Sequence, residues 1–209
     1  MISNPSASIR SFIAVDLSEE LQERLFAIVL QFMQQLKRQT PTPHYELIRW
    51  ASKENIHLTL HFLGDIDQIS LQNIHQQLQT TLYNLPIFTL QVSSIGAFPN
   101  LHRPRVLWVG IQQSEELSYL YQIITPIISQ FRCIIEERNF HAHLTLGRVK
   151  NDIENIYLKE ISNVISQFSK DPAIGSIEVD KVNIYRSVLK PSGADYTKLF
   201  TIPLHNCSH

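Results

Sequence analysis

The chain has 209 residues, with 18 lysines and arginines against 19 aspartates and glutamates, and 44% of its residues are hydrophobic. This composition excludes a mainly disordered protein, and a chain of this length buries roughly 70% of its unfolded surface without help from a disulfide or a metal. Because the net charge is only −1, an anionic substrate must be met by a local basic patch.

The predicted elements begin with residues 9–17, which are apolar and β-branched and indicate a buried strand. Ser18 is the expected N-cap of a helix, and Pro41 and Pro43 prevent its continuation. The apolar face of this helix is predicted from residues three and four apart: Leu21, Leu25, Ile28, Phe32 and Leu36. Further strands are predicted at 56–63, 88–95, 105–111, 141–149, 177–188 and 199–204, and further helices at 70–83, 115–131 and 153–168. Pro126 is expected to kink or split the helix at 115–131.

The order of these elements indicates an α+β or α/β protein, and no Gly, Ser or Pro-rich linker divides it. We therefore predict one domain with two lobes over 1–209, with flexible ends at 1–8 and 205–209. The longest apolar stretches fall far below the roughly 18 residues of a membrane span, and the first ten residues do not resemble a secretory signal. Cys133 and Cys207 stand alone, which is typical of a reducing compartment, so we predict a cytoplasmic protein and expect a monomer.

One tetrapeptide, His-Leu-Thr-Leu, occurs twice, at 57–60 and at 143–146. A chain of this composition and length is expected to contain the sequence His-Leu-Thr-Leu by chance only about 0.006 times. In a strand, the histidine and the threonine project from one face and the two leucines from the other. Two such strands, one in each lobe, bring two imidazoles and two hydroxyls to one cleft. Histidine is suited to acid–base work near neutral pH, and threonine can donate to phosphoryl oxygens.

The paired motifs resemble those of the 2H phosphoesterase superfamily, which is named for its two histidines. The resemblance narrows to the RNA 2′,3′-cyclic phosphodiesterases, formerly called 2′-5′ RNA ligases, and it runs from about residue 10 to residue 204. The stretches that carry it are RSFIAVDL at 10–17, IHLTLHFLG at 56–64, GAFP at 96–99, PRVLW at 104–108 and FHAHLTLGRV at 140–149. This resemblance implies an α+β, bilobal fold with two antiparallel sheets backed by helices and a central cleft.

The resemblance also implies a reaction without metal or cofactor, in which an RNA 2′,3′-cyclic phosphate is opened to a 2′-phosphate, with reversible 2′-5′ RNA ligation as a further activity. His57 is expected to be the proton donor and His143 the proton acceptor. Thr59 and Thr145 are expected to hold the non-bridging oxygens as negative charge grows on them. The expected partners are RNA or nucleotides with cyclic phosphate ends.

Two other functions fit the same residues. His57, His61, His141 and His143 have the spacing to share strand faces, and His57, His61 and His143 with a water are a possible site of a zinc hydrolase. Alternatively, the cleft of a non-catalytic module binds nucleotides or RNA without turning them over. Zinc content and sensitivity to EDTA distinguish the first alternative, and tight binding without hydrolysis distinguishes the second.

Substrate contacts are predicted at Arg148, Arg105 and Tyr185. In an ideal strand Arg148 points away from the histidines, and a twist or a strand end is needed to bring it round. By the same strand parity Phe62 lies off the face of the histidines and is predicted to belong to the core.

Overall fold

The computed structural model describes residues 8–39, 47–131, 133, 140–168, 174–190 and 193–205. Its helices are α1 (Glu19–Gln39), α2 (Gln68–Leu82), α3 (Glu115–Ser129) and α4 (Asn155–Phe168), and a short 3-10 helix covers Lys53–Asn55. Its strands are β1 (Ile9–Val15), β2 (Ile48–Trp50), β3 (Leu58–Ile66), β4 (Phe88–Phe98), β5 (Val106–Ile111), β6 (His143–Val149), β7 (Gly175–Val179), β8 (Lys181–Lys190) and β9 (Gly193–Pro203).

The strands form an antiparallel sheet in the order β7-β4-β5-β6-β3-β1-β8-β9, and β2 pairs with β6 outside this path. The sheet has two halves. One half consists of β2, β4, β5, β6 and β7, and the other consists of β1, β3, β8 and β9. The halves meet at one pair of residues, Leu58 opposite Leu144. The predicted α+β class and antiparallel pairing are confirmed, and the two expected sheets are joined into one at this pair.

Two pairs of helices cover the sheet. Helices α1 and α4 pack on each other and against β4, β6 and β7, while α2 and α3 pack on each other and against β9 and β3. One continuous core of buried apolar side chains runs through both halves. Because the helices cover one face of both halves, the opposite face near Leu58 and Leu144 is left for polar side chains.

Helix α1 begins and packs largely as its sequence indicates. The Ser18 hydroxyl accepts a hydrogen bond from the backbone N–H of Leu21, at 3.3 Å, and acidic residues occupy the first turn, where the helix dipole favours them. The buried face consists of Leu21, Leu25, Val29, Phe32 and Leu36. Val29 therefore replaces the predicted Ile28, which is only partly buried, because the stripe drifts round a helix of 3.6 residues per turn.

The other boundaries differ from prediction at particular places. Helix α3 runs unbroken through Pro126, so the expected split is wrong. The predicted strand at 177–188 is divided at Asp180 into β7 and β8, and the last strand is longer than predicted because it pairs with β8 along almost its whole length. The three-residue strand β2 has too short a pattern to be recognised. The predicted flexible ends and prolines 41 and 43 lie mostly or wholly outside the described residues, and the single two-lobed domain stays a prediction.

Every described helix lacks the combination of length and apolar character that crossing a membrane requires.

Candidate active site

The two tetrapeptides come together where the halves of the sheet meet. Leu58 and Leu144, the paired residues, are completely buried beneath the helices. Their neighbours in each motif project from the opposite face, which we call the histidine face: it carries His57, Thr59, His143 and Thr145, all half-buried. The structure therefore brings together the four residues that the repeat singles out.

Both histidines are held in the same way. The Nδ1 of His57 lies 2.8 Å from the carbonyl oxygen of Asn55, and the Nδ1 of His143 lies 2.7 Å from the carbonyl oxygen of His141. A carbonyl oxygen only accepts, so in each ring Nδ1 carries the hydrogen and donates it. In the neutral ring Nε2 is then left as the atom that accepts or, once protonated, delivers a proton.

Aromatic rings border both imidazoles. Phe12 stacks on His57 with ring centroids 4.9 Å apart, and Tyr196 meets His57 edge-on at 5.3 Å. On the other half of the sheet Phe98 meets His143 edge-on at 5.0 Å. These contacts restrict the planes of both imidazoles.

The surroundings of His57 favour its neutral form. Burial lowers the pKa of His57 to about 4, and the charge of His143 acts in the same direction. The Asn55 carbonyl and the Asp16 carboxylate oppose this by raising the pKa of His57. In the free protein at pH 7 His57 is therefore uncharged, and its use as a proton donor requires additional negative charge from a bound anion.

A β-bulge changes the face on which the residues after the first motif lie. Ala14 pairs with Thr59 and Ile13 with His61, so Leu60 is an extra residue on β3. His61 consequently turns to the helices, is 5% exposed, and stacks on Tyr121 of α3 with ring centroids 4.1 Å apart. The prediction that His61 shares a face with His57 is wrong, because strand parity does not survive the bulge.

This correction removes the particular zinc site suggested for His57, His61 and His143. The Nε2 of His61 lies 3.2 Å from the carbonyl oxygen of Tyr121, on the opposite side of the sheet from His57 and His143. Among the described residues no three histidine, cysteine, aspartate or glutamate side chains are placed to hold one metal ion. The three histidines proposed for zinc cannot meet at one ion in this fold.

A second bulge occupies the same place in the second motif. Trp108 pairs with Thr145 and Leu107 with Gly147, so Leu146 is the extra residue on β6. Arg148, which pairs with Val106, therefore lies on the histidine face. The bulge, rather than twist or a strand end, brings it there.

After the first motif, the position equivalent to that of Arg148 is occupied by Phe62. It pairs with Phe12 on the histidine face, its ring lies 6.3 Å from that of Phe12, and it is 44% exposed. The prediction of a core role for Phe62 is wrong for the same reason as that for His61. The second residue after each motif, aromatic in one copy and cationic in the other, thus lies on the histidine face.

The two remaining predicted contacts have different surroundings. The Tyr185 hydroxyl donates to Asp16 at 2.6 Å, and its ring stacks on Phe12, which places it on the histidine face. The Arg105 guanidinium donates to the carbonyl oxygens of Lys150 and Asn151, at 2.9 and 3.0 Å. These bonds tie the start of β5 to the chain after β6 and give Arg105 a structural role, and its substrate contact stays a prediction.

Four residues of the site escaped the motif argument: Arg10, Phe12, Asp16 and Tyr196. Burial raises the pKa of Tyr196, and the charges of Arg148 and Arg10 lower it, so both guanidinium groups lie near this hydroxyl. Three of the four belong to the stretch 10–17, where alternate residues share a face. That alternation is the signal that could have found them.

The chain was compared with known families and proteins. The family model described as "2'-5' RNA ligase superfamily" matches residues 29–190. This protein belongs to the 2′-5′ RNA ligase superfamily. The resemblance seen in the motifs is thereby confirmed.

Relatives in the superfamily match nearly the whole chain. A protein of Thermotoga maritima is 31% identical over 192 residues, covering 92% of this chain and 94% of its own length. One of Methanocaldococcus jannaschii is 32% identical over 188 residues, covering 90% and 96%. Both are named RNA 2′,3′-cyclic phosphodiesterase.

Solved structures share the fold. LigT of E. coli complexed with 3′-AMP has a TM-score of 0.71 at 24% identity, covering 94% of this chain and 98% of its own. A Thermus thermophilus protein has a TM-score of 0.74 at 22% identity, covering 96% and 100%. The expected superfamily fold is confirmed.

Proposed function

We propose that this protein hydrolyses the 2′,3′-cyclic phosphate ends of RNA to 2′-phosphates, using two histidines and no metal. The observation that carries the proposal is the meeting of two identical motifs on one face, each with the Nδ1 of its histidine held by a backbone carbonyl. The names of the superfamily relatives support this substrate and reaction.

In the proposed reaction the Nε2 of His143 takes a proton from water, whose oxygen attacks the phosphorus. The bond between phosphorus and the ribose 3′-oxygen breaks, and the Nε2 of His57 delivers a proton to that oxygen. The products are a 2′-phosphate and a free 3′-hydroxyl. Thr59 and Thr145 donate to the non-bridging oxygens, where charge develops in the transition state. The donor and acceptor assignment follows the family resemblance.

Charge on the substrate makes this assignment workable. The cyclic phosphate is an anion, and an anion beside His57 favours its protonated form. Arg148 and Arg10 lie near the same part of the cleft, and neither forms an ion pair with a described residue. Both guanidinium groups are therefore available to a phosphate, and the exposed Phe62 ring is available to an unstacked base.

The test is hydrolysis of 2′,3′-cyclic AMP and of a short RNA with a cyclic phosphate end, in EDTA, with the 2′- and 3′-phosphate products resolved. We expect turnover that EDTA does not affect and a 2′-phosphate product. His57→Ala and His143→Ala should each lose at least about 100-fold in kcat, whereas the control His102→Ala, at an exposed position, should not.

Other outcomes contradict the proposal in distinguishable ways. Turnover that is abolished by EDTA and restored by zinc indicates a metal enzyme. Tight binding of the cyclic RNA without hydrolysis under either condition favours the nucleotide-binding module. Near-wild-type turnover in either histidine variant contradicts the two-histidine mechanism. The cytoplasmic location, the monomeric state and the reversible 2′-5′ ligation stay predictions.

A further inference from the structure

Three aromatic rings form a continuous stack that ends at His57. Phe12 lies between His57 and Tyr185, with centroids 4.9 and 5.3 Å away and interplanar angles of 23° and 15°. Tyr196 closes the side of the stack, meeting His57 and Phe12 edge-on at 5.3 and 4.9 Å. The plane of the His57 ring is therefore coupled, through Phe12, to the plane of the Tyr185 ring.

The far end of this stack is anchored by a carboxylate. Asp16 accepts from the Tyr185 hydroxyl at 2.6 Å and from the Lys198 ammonium at 2.7 Å, using one oxygen for each. The ammonium also lies 5.7 Å from the centroid of the Tyr185 ring. Hydrogen bonds to an ionised group are short and strong, so the two donors fix both the carboxylate and the ring that it holds.

The same carboxylate acts on His57 through its charge. Asp16 raises the pKa of His57, whereas burial and His143 lower it. The charged and titratable groups around the imidazole are thus Asp16 after β1, His143 on β6, and Tyr196 with the more distant Lys198 on β9. Arg10 and Arg148 lie near the Tyr196 hydroxyl, and the backbone carbonyl of Asn55 accepts from the imidazole itself. Of these, Asp16 carries the negative charge, and Lys198 partly neutralises it.

We propose that Asp16, Tyr185 and Lys198 are positioning residues for His57: the carboxylate anchors the ring stack that orients the imidazole, and Lys198 sets how much negative charge the imidazole experiences. None of the three needs to contact the substrate. The inference rests on the proposed acid–base role of His57, and it adds a device that determines the orientation and protonation of that ring.

Three conservative variants separate the two parts of the proposal. Tyr185→Phe keeps the ring and removes the anchoring hydroxyl. Asp16→Asn removes the negative charge, and Lys198→Met removes its neutralising partner. The matched control is Lys181→Met, which breaks the 2.9 Å ion pair with Asp180 at the start of β8, outside the ring stack.

The readouts are the pKa of His57, followed by NMR with the resonance identified by its absence in His57→Gln, and the pH dependence of kcat and KM. We expect Asp16→Asn to lower the pKa of His57 by about 0.5 and Lys198→Met to raise it by a similar amount. Tyr185→Phe should lower kcat about tenfold at pH 7 with KM little changed, because the ring is no longer held in its reactive orientation. Lys181→Met should match the wild type.

A merely structural role does not shift the pKa of His57 in opposite directions in Asp16→Asn and Lys198→Met. Shifts in the same direction, or none, overturn the electrostatic part, and an unchanged kcat in Tyr185→Phe overturns the anchoring part. If Asp16→Asn does not fold, Lys198→Met alone decides the sign. If the wild type hydrolyses no cyclic phosphate, the proposed function fails, while the NMR titration still tests the network.

Discussion

At the scale of single residues, His61 shows how burial turns a titratable group into a pH-sensitive part of the core. Burial lowers the pKa of His61 to about 4, with the Tyr121 carbonyl opposing, while the unfolded chain keeps a pKa near 6.5. Between these values the unfolded state binds more protons than the folded one, so stability falls as the pH drops from 6.5 to 4.

The contribution of His61 to this loss is measurable with one variant. His61→Phe keeps a ring to stack on Tyr121 and does not titrate. Urea unfolding at pH 7 and at pH 4 gives the loss of stability of each protein. The loss in His61→Phe should be smaller than the loss in the wild type by about 3 kcal/mol. His57 titrates in both proteins, so the difference between them isolates His61. Equal losses contradict the burial argument.

The threonines of the two motifs give a prediction about activity alone. Thr59→Val and Thr145→Val keep the shape of the side chain and remove the hydroxyl. Each should lower kcat by about 100-fold, the usual cost of one donor to a developing negative charge, with the fold preserved. Thr145→Ser should recover much of the loss. Thr89→Val, on the exposed side of β4, is the control that should change neither quantity.

At the scale of elements, the bulges at Leu60 and Leu146 decide which of the residues that follow them lie on the histidine face. Phe62 is exposed on the histidine face, and the next residue, Leu63, is 2% exposed under the helices. Phe62→Ala should raise KM for cyclic RNA about tenfold, by loss of one stacking surface, with little change in stability. Leu63→Ala should cost about 2–5 kcal/mol of stability with KM unchanged. In a strand without the bulge, Leu63 lies on the histidine face and Phe62 lies under the helices, so the effects of the two variants are exchanged. The two variants therefore test the register directly.

At the scale of the whole molecule, two halves of a sheet share one backbone pairing and one apolar core. We expect a single cooperative unfolding transition, because separating the halves exposes the core that both share. Both tryptophans, Trp50 on β2 and Trp108 on β5, lie in the same half. Tryptophan fluorescence therefore follows that half, and circular dichroism follows the entire protein. Transitions that do not coincide in urea contradict the single domain predicted for this chain.

Much of the site is determined by the sequence alone, because its chemistry resides in residue types and short patterns. The repeated tetrapeptide identified His57, Thr59, His143 and Thr145, and alternation along a strand placed each histidine with its threonine on one face. The apolar stripe of α1 and its Ser18 cap were equally local. These predictions hold because side-chain direction over three or four residues depends on backbone geometry that the residues themselves adopt.

Only the tertiary structure decided the rest. A bulge arises from how a strand pairs with its neighbour, so β1 and β5 determine that His61 turns inward and that Phe62 and Arg148 turn to the cleft. The contact between Tyr185 and Asp16 joins residues 169 positions apart, which no local pattern encodes. Short motifs therefore determine the histidines and threonines of the histidine face, whereas strand pairing across the whole chain determines its surrounding side chains, its charges and its register.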